Sequence, residues 1–245
     1  MNDRLAAPSA LLLLLAAPAI GCADTSQPEV SYDAIAEAAP PGAIAARAWT
    51  VELEEATVAF GPVYFCAASG GAATLCDAAV AEMLSIARVD LLDPAPQPLG
   101  RVHGFEGRIR SASFDYGVHW FLTEASPTPA PEAPGGHSAR LRGRATRGAE
   151  VLDFVAEVDA VPQNPGQNAV PSIGLAARVG AEPVRLVVRF DVAAWIARVN
   201  FDELAAGGAA EVAIAPGSRA HNVLVKAMTA QDLPELRWID AAVAP

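Results

Sequence analysis

The sequence predicts a mainly β protein, an antiparallel β-sandwich carrying two or three short helices. Three observations predict it. Apolar and polar residues alternate with period two in many short stretches, the signature of half-buried strands. Glycine and proline, 19 and 20 of the 245 residues, punctuate the chain too often for long helices. Strands do not alternate with long helical segments, which argues against a doubly wound parallel sheet.

The folded part is expected to begin near Ala46 and to run as one domain over residues 46–245. In WTVELEEATVAFGPVYFC, Trp49, Val51 and Leu53 alternate with polar residues, and Val58 and Phe60 repeat the pattern. Gly61-Pro62 breaks it, then Val63, Tyr64 and Phe65 resume. In TLCDAAVAEMLSIARVDLL the period changes. Cys76, Val80, Met83, Leu84 and Ala87 share a helical face, and Thr74 with Asp77 has cap spacing, so the spacing predicts a helix over 75–85. A strand over Ile86–Leu92 competes for its tail. GRVHGFEGRIRSASFDYGVHWFL returns to strand character. The proline-rich segment over residues 124–136 is too poor in amide donors for a ladder and too polar for a core, and is expected as an exposed loop.

The clearest hairpin follows. Ala139, Leu141, Gly143 and Ala145 alternate with Arg140, Arg142 and Arg144, Arg147-Gly148 supplies a turn, and Leu152, Phe154, Ala156 and Val158 alternate with Asp153, Glu157 and Asp159. An arginine stripe thus faces a carboxylate stripe on a solvated face. A strand is expected over Val184–Phe190, then a short helix capped by Asp191 and carrying Trp195 and Val199. Another helix is expected after Ser218, and a last strand in LRWIDAAV.

Ahead of the folded part, the apolar run Ala10–Ile20 follows one basic residue, Arg4. It is shorter than the roughly 20 residues of a bilayer-spanning helix and has the form of a signal-peptide h-region. Residues 1–21 are therefore expected to be a lipoprotein signal peptide. Ala19-Ile20-Gly21-Cys22 looks like a bacterial lipobox, whose cysteine is lipidated; ordinary cleavage after Ala23 is the alternative. Residues 22–45 lack large apolar side chains and are expected to be a flexible tether. Ala23 lacks the aspartate that retains some lipoproteins at the inner membrane, which favours the outer membrane of the cell envelope, facing either the periplasm or the surface.

Three cysteines are an odd count for an exported chain. A lipid on Cys22 leaves Cys66 and Cys76 to form a disulfide in an oxidising envelope, a staple worth roughly 3 kcal/mol in the chain-entropy model. Two buried thiols are the alternative, and a metal site a third. The formal net charge of -11 excludes nucleic acid as a natural partner. The expected partners are the membrane, through the anchor, and a protein or small molecule.

No nucleophile elbow, zinc-protease motif, phosphate loop or dinucleotide fingerprint occurs in the sequence, and no cofactor is implied. Ser69 beside Gly70-Gly71 reads as loop. His103, His119 and His137 are weak metal-ligand candidates, with Asp115 nearby and His221 further on; no tight histidine pair supports them. Glu54-Glu55, and Asp115 with Tyr116, read as surface groups rather than a glycosidase pair.

LLLLLAAPAIGC, VAFGPVYFC, GHSARLRGRATR and VRFDVAAWIARVNFDEL together resemble uncharacterised lipoproteins of high-GC bacteria. The resemblance implies envelope location and no biochemical function. The leading expectation is a non-enzymatic envelope lipoprotein whose β domain binds a ligand or partner. Metal handling through the histidines, copper included, is the second reading, and a hydrolase with a noncanonical site the third.

Overall fold

The computed structural model describes residues 27–69, 79–180 and 184–240. It is mainly β, 53% strand and 13% helical. In chain order the strands are β1 (Glu29–Ala38), β2 (Ile44–Ala46), β3 (Trp49–Phe60), β4 (Val63–Cys66), β5 (Ala79–Met83), β6 (Ala87–Asp90), β7 (Gln97–Phe105) and β8 (Gly107–Phe114). Then come β9 (Val118–His119), β10 (Thr128–Pro129), β11 (Ala139–Arg147), β12 (Glu150–Val158), β13 (Val170–Val179), β14 (Val184–Phe190), β15 (Glu211–Ile214) and β16 (Glu235–Asp240). Helices α1 (Val192–Ala197) and α2 (Phe201–Ala205) follow β14, and α3 (Arg219–Lys226) precedes β16.

Eight strands form one sheet in the order β13-β8-β4-β5-β7-β1-β14-β16. A second sheet runs β15-β12-β11-β3-β2, with β6 also paired to β3. Most seams are antiparallel, as expected. Two are parallel, β1 with β14 and β12 with β15, because the chain returns to each through long connections rather than tight hairpins. The larger sheet curls so that distant strands meet. The Phe65 ring on β4 lies 4.7 Å from that of Trp238 on β16, and the Tyr32 hydroxyl on β1 donates to the Gly180 carbonyl beyond β13. Between the sheets Phe60 is the central contact, packing within 5.3 Å of both Phe114 and Phe190. Helix α1 adds Trp195 to this core and α2 adds Phe201.

The hairpin forms as the alternation predicts. Ala139, Leu141 and Ala145 face Val158, Ala156 and Leu152 across the β11–β12 seam, and all six are buried. The arginines find carboxylates on both flanking strands: Arg144 pairs with Asp153 of β12 at 2.7 Å, Arg142 with Glu54 and Arg140 with Glu55 of β3. Asp191 caps α1 by accepting from the Ala194 N–H, and Ser218 caps α3 by accepting from the His221 N–H.

Three sequence expectations are corrected. Residues 22–45 are not simply a tether: from Glu29 the chain is a strand inside the larger sheet. Val30, Tyr32, Ala34 and Ala36 are buried while the residues between them turn away. The period-two signal is there, but small alanines carry half of it. The helix expected over 75–85 is replaced, within its described part, by β5. Ala79–Met83 pairs with β4 and β7, so sheet pairing on both sides overrides the local helical spacing. The 124–136 segment is not exposed throughout: its first half is mostly exposed, and its second half is partly buried. Thr128–Pro129 pairs with β9; beyond it Ala130, Ala133 and Pro134 are buried. Arg88 holds this second half by donating to the Glu132 and Ala133 carbonyls.

Candidate functional site

The chain crosses from the smaller sheet to the larger one at Gly61-Pro62, and the candidate site forms around that crossing. Gly61 has a φ of +112°, and a Cβ there would lie 2.3 Å from the Ser85 carbonyl oxygen, so only glycine lets the two segments touch. The crossing is clamped to the end of β8. Gly61 N–H donates to the Asp115 carbonyl at 3.0 Å, and Asp115 N–H donates to that of Pro62 at 3.1 Å. Next in the chain, Tyr116 is buried and donates from its hydroxyl to the Met228 carbonyl. Burial pushes that phenol far above its usual pKa.

These restraints hold the Asp115 side chain beneath a cavity of about 390 Å³. The walls come from four places: Pro62 and Tyr64 at β4, Leu84 and Ile86 after β5, His119, Trp120 and Phe121 at β9, and Gly166–Asn168 before β13. Asp115 is 2% exposed. Its carboxylate accepts from the Asn168 side-chain amide at 2.9 Å and from the Ala169 N–H at 2.6 Å. Burial nevertheless dominates, raising the carboxyl pKa to about 7 against those two donors. The Tyr64 hydroxyl is pushed up as well, first by burial, then by Asp115 and Glu82.

The rim is apolar. Leu84, Phe121 and Leu122 are 60%, 57% and 77% exposed. Trp120 donates its indole N–H to the Glu124 carbonyl, and the Trp120 carbonyl accepts from Gly166 N–H. These contacts lock the β9 side of the mouth to the loop that carries Asn168. The His119 and Phe121 rings lie 4.5 Å apart.

The histidine candidates are dispersed. His119 is at this cavity. His103 lies on β7, its Nδ1 3.2 Å from the Ser31 hydroxyl. His137 sits between Asp159 at 2.8 Å and Glu157 at 3.3 Å, and His221 accepts from the Asp159 N–H. No group of three potential ligands that could hold a metal ion occurs among the described residues. The Ser31–His103 pair, with Glu82 opposite His103, has the residue types of a nucleophile and its base. It lies on an exposed sheet face, where Arg101 also donates to the Ser31 hydroxyl. Glu54 and Glu55 are engaged with Arg142 and Arg140.

Comparison with protein-family models, curated proteins and solved structures finds no match.

The signal peptide expected over 1–21 and the expected lipidation position Cys22 lie outside the described residues, as does Cys76. Cys66 ends β4 and is 6% exposed. No helix among the described residues is long and apolar enough to cross a membrane. Sequence reading named Asp115 and Tyr116 but took them for surface groups. Asn168 and Gln167 were missed, since nothing local distinguishes them from loop polar residues.

Proposed function

We propose that this chain is a cell-envelope lipoprotein, tethered through Cys22, whose β domain captures a small, mainly apolar ligand in the cavity over Asp115. One observation carries the reading: an apolar and aromatic cavity of about 390 Å³ with a single buried carboxyl, Asp115, among its lining residues. Ligand sites have this form, hydrophobic walls with few fixed polar groups. Leu84 and Phe121, exposed apolar side chains in the lining of the same cavity, add to it, because apolar surface gathered at a cavity is a mark of binding sites. A Cys66–Cys76 disulfide belongs to the same proposal and would tie β4 to the chain just ahead of β5, the strand that leads to Leu84 and Ile86.

A neutral solvatochromic dye such as Nile red tests the cavity on the purified protein. Saturable one-to-one binding is expected, abolished by Ile86→Arg while far-ultraviolet circular dichroism is unchanged. Binding that does not saturate, or that survives Ile86→Arg, overturns it. The tether is tested separately: the protein should partition into detergent phase, and Cys22→Ala should release it or block its processing.

A further inference from the structure

We infer that the cavity over Asp115 selects an organic cation, an ammonium group on an aryl or alkyl body, with Asp115 as the selecting residue. This rests on the ligand-binding reading and deepens it.

The argument begins with what Asp115 lacks. A carboxylate taken out of water needs hydrogen bonds and a counter-charge. Asn168 and Ala169 supply the hydrogen bonds, one to each oxygen, and fix both oxygens as acceptors. Among the described residues no cationic side chain acts on it. Half-buried acids elsewhere are paired with arginine, as Asp232 is with Arg198 and Glu55 with Arg140. Asp115 is thus oriented for a positive charge that the protein does not provide.

The cavity walls complement the same charge. Tyr64, Trp120 and Phe121 present aromatic surface, whose ring faces attract a desolvated cation. Trp120 has already committed its only polar atom to the Glu124 carbonyl, leaving the ring itself to offer. An anionic ligand would meet the Asp115 charge at close range in low dielectric. A neutral ligand would fill the walls yet leave the carboxyl to hold its proton. An ammonium satisfies walls and base together.

Protonation then competes with the ligand. The titratable groups around Asp115 are Tyr64 on β4, Glu82 beside it on β5 and His119 on β9. Asp115 must lose its proton to receive a cation, so affinity should fall as pH drops below about 7, approaching about tenfold per pH unit. Protonated His119 would repel the cation in the same direction, so the series is repeated in His119→Gln.

The experiment measures dye displacement by 2-phenylethylamine, 2-phenylethanol and 3-phenylpropionate at pH 8. The amine is expected to bind about tenfold or more tighter than the alcohol, the worth of one charge-assisted contact, and the propionate weakest. Asp115→Asn should bring amine and alcohol within about twofold of one another, as expected for a lost charge with the shape kept. Should Asp115→Asn misfold, the wild-type pH series decides: amine affinity should drop from pH 8 to pH 6 while alcohol affinity stays level, also in His119→Gln. Equal binding of amine and alcohol by the wild type overturns the cation inference and leaves the cavity reading intact. Failure of the dye itself to bind overturns both.

Discussion

Burial of Asp115 gives its carboxyl a stability effect of definite sign. Its folded pKa of about 7 lies above its ordinary 3.8, because burial outweighs the Asn168 and Ala169 donors. The folded state therefore keeps a proton that the unfolded chain releases between those values. This stabilisation is fully present below about pH 4 and is lost as pH rises through about 7. The span corresponds to at most about 4 kcal/mol. Urea unfolding of the wild type should give falling stability from pH 5 to pH 8, relative to Asp115→Asn. The variant should be level by comparison and the more stable of the two at pH 8, with Asn168 turning its amide to present oxygen. Parallel pH profiles for the two proteins would show that Asp115 is solvated after all. At this scale the sequence was legible only by name. Asp115 stands in an unremarkable FDYG, and what buries it comes from Pro62 and Asn168, about fifty residues away on either side. No local pattern encodes such a meeting, whereas Asp191 and Ser218, whose caps act within three residues, were readable at once.

Among the elements, β1 carries the sharpest lesson and the next prediction. A half-buried strand was expected only where large apolar residues alternate. In EVSYDAIAEA the buried positions are Val30, Tyr32, Ala34 and Ala36, and alanine marks a face only weakly because it buries so little surface. The pairing shows why alanine suffices. With β7 on one side and β14 on the other, β1 gains its place from two ladders rather than from bulk. The same holds for β5, where alanines suggest a helix until strands exist on both sides. Tyr32 is the one large anchor of β1, 4% exposed and donating to Gly180. Tyr32→Ala should therefore cost about 3 kcal/mol or more of unfolding free energy, as large-to-small core changes do. Tyr32→Phe should cost about 1 kcal/mol for the lost hydrogen bond. If denaturation midpoints of both variants match the wild type, residues 29–38 behave as a tether and the strand is not part of the cooperative fold. The β11–β12 hairpin needed no such help: its arginines and large apolar residues alternate strictly, and the register followed from the pattern.

At the scale of the whole molecule, the segment over 124–136 decides whether this is one cooperative unit. It leaves the larger sheet after β8 and returns to the smaller one at β11, so it has the position of a linker between two halves. Its first half, near Ala125–Pro127, is exposed or half-exposed and lies outside any ladder, whereas Ala130, Ala133 and Pro134 are buried and Arg88 grips the carbonyls beside them. Limited proteolysis should nick the chain between Ala125 and Thr128, and not between Ala130 and Pro134. Removing residues 125–127 should leave stability nearly unchanged, because closure entropy varies slowly with loop length. Removing 130–134 should lower the melting temperature, since it strips a buried patch from the smaller sheet. The nicked halves should stay together through size-exclusion chromatography. Among the described residues the halves share four strand seams: β8 with β13, β1 with β14, β3 with β11 and the short β9 with β10. Each half also contributes strands to both sheets, and Phe60 from the first packs on Phe190 from the second. Separating them would expose the interior of both sheets at once, a cost far beyond the marginal stability of a domain. Elution of the nicked protein as two folded fragments would mean that these seams do not hold the chain together, and that the halves are independent domains.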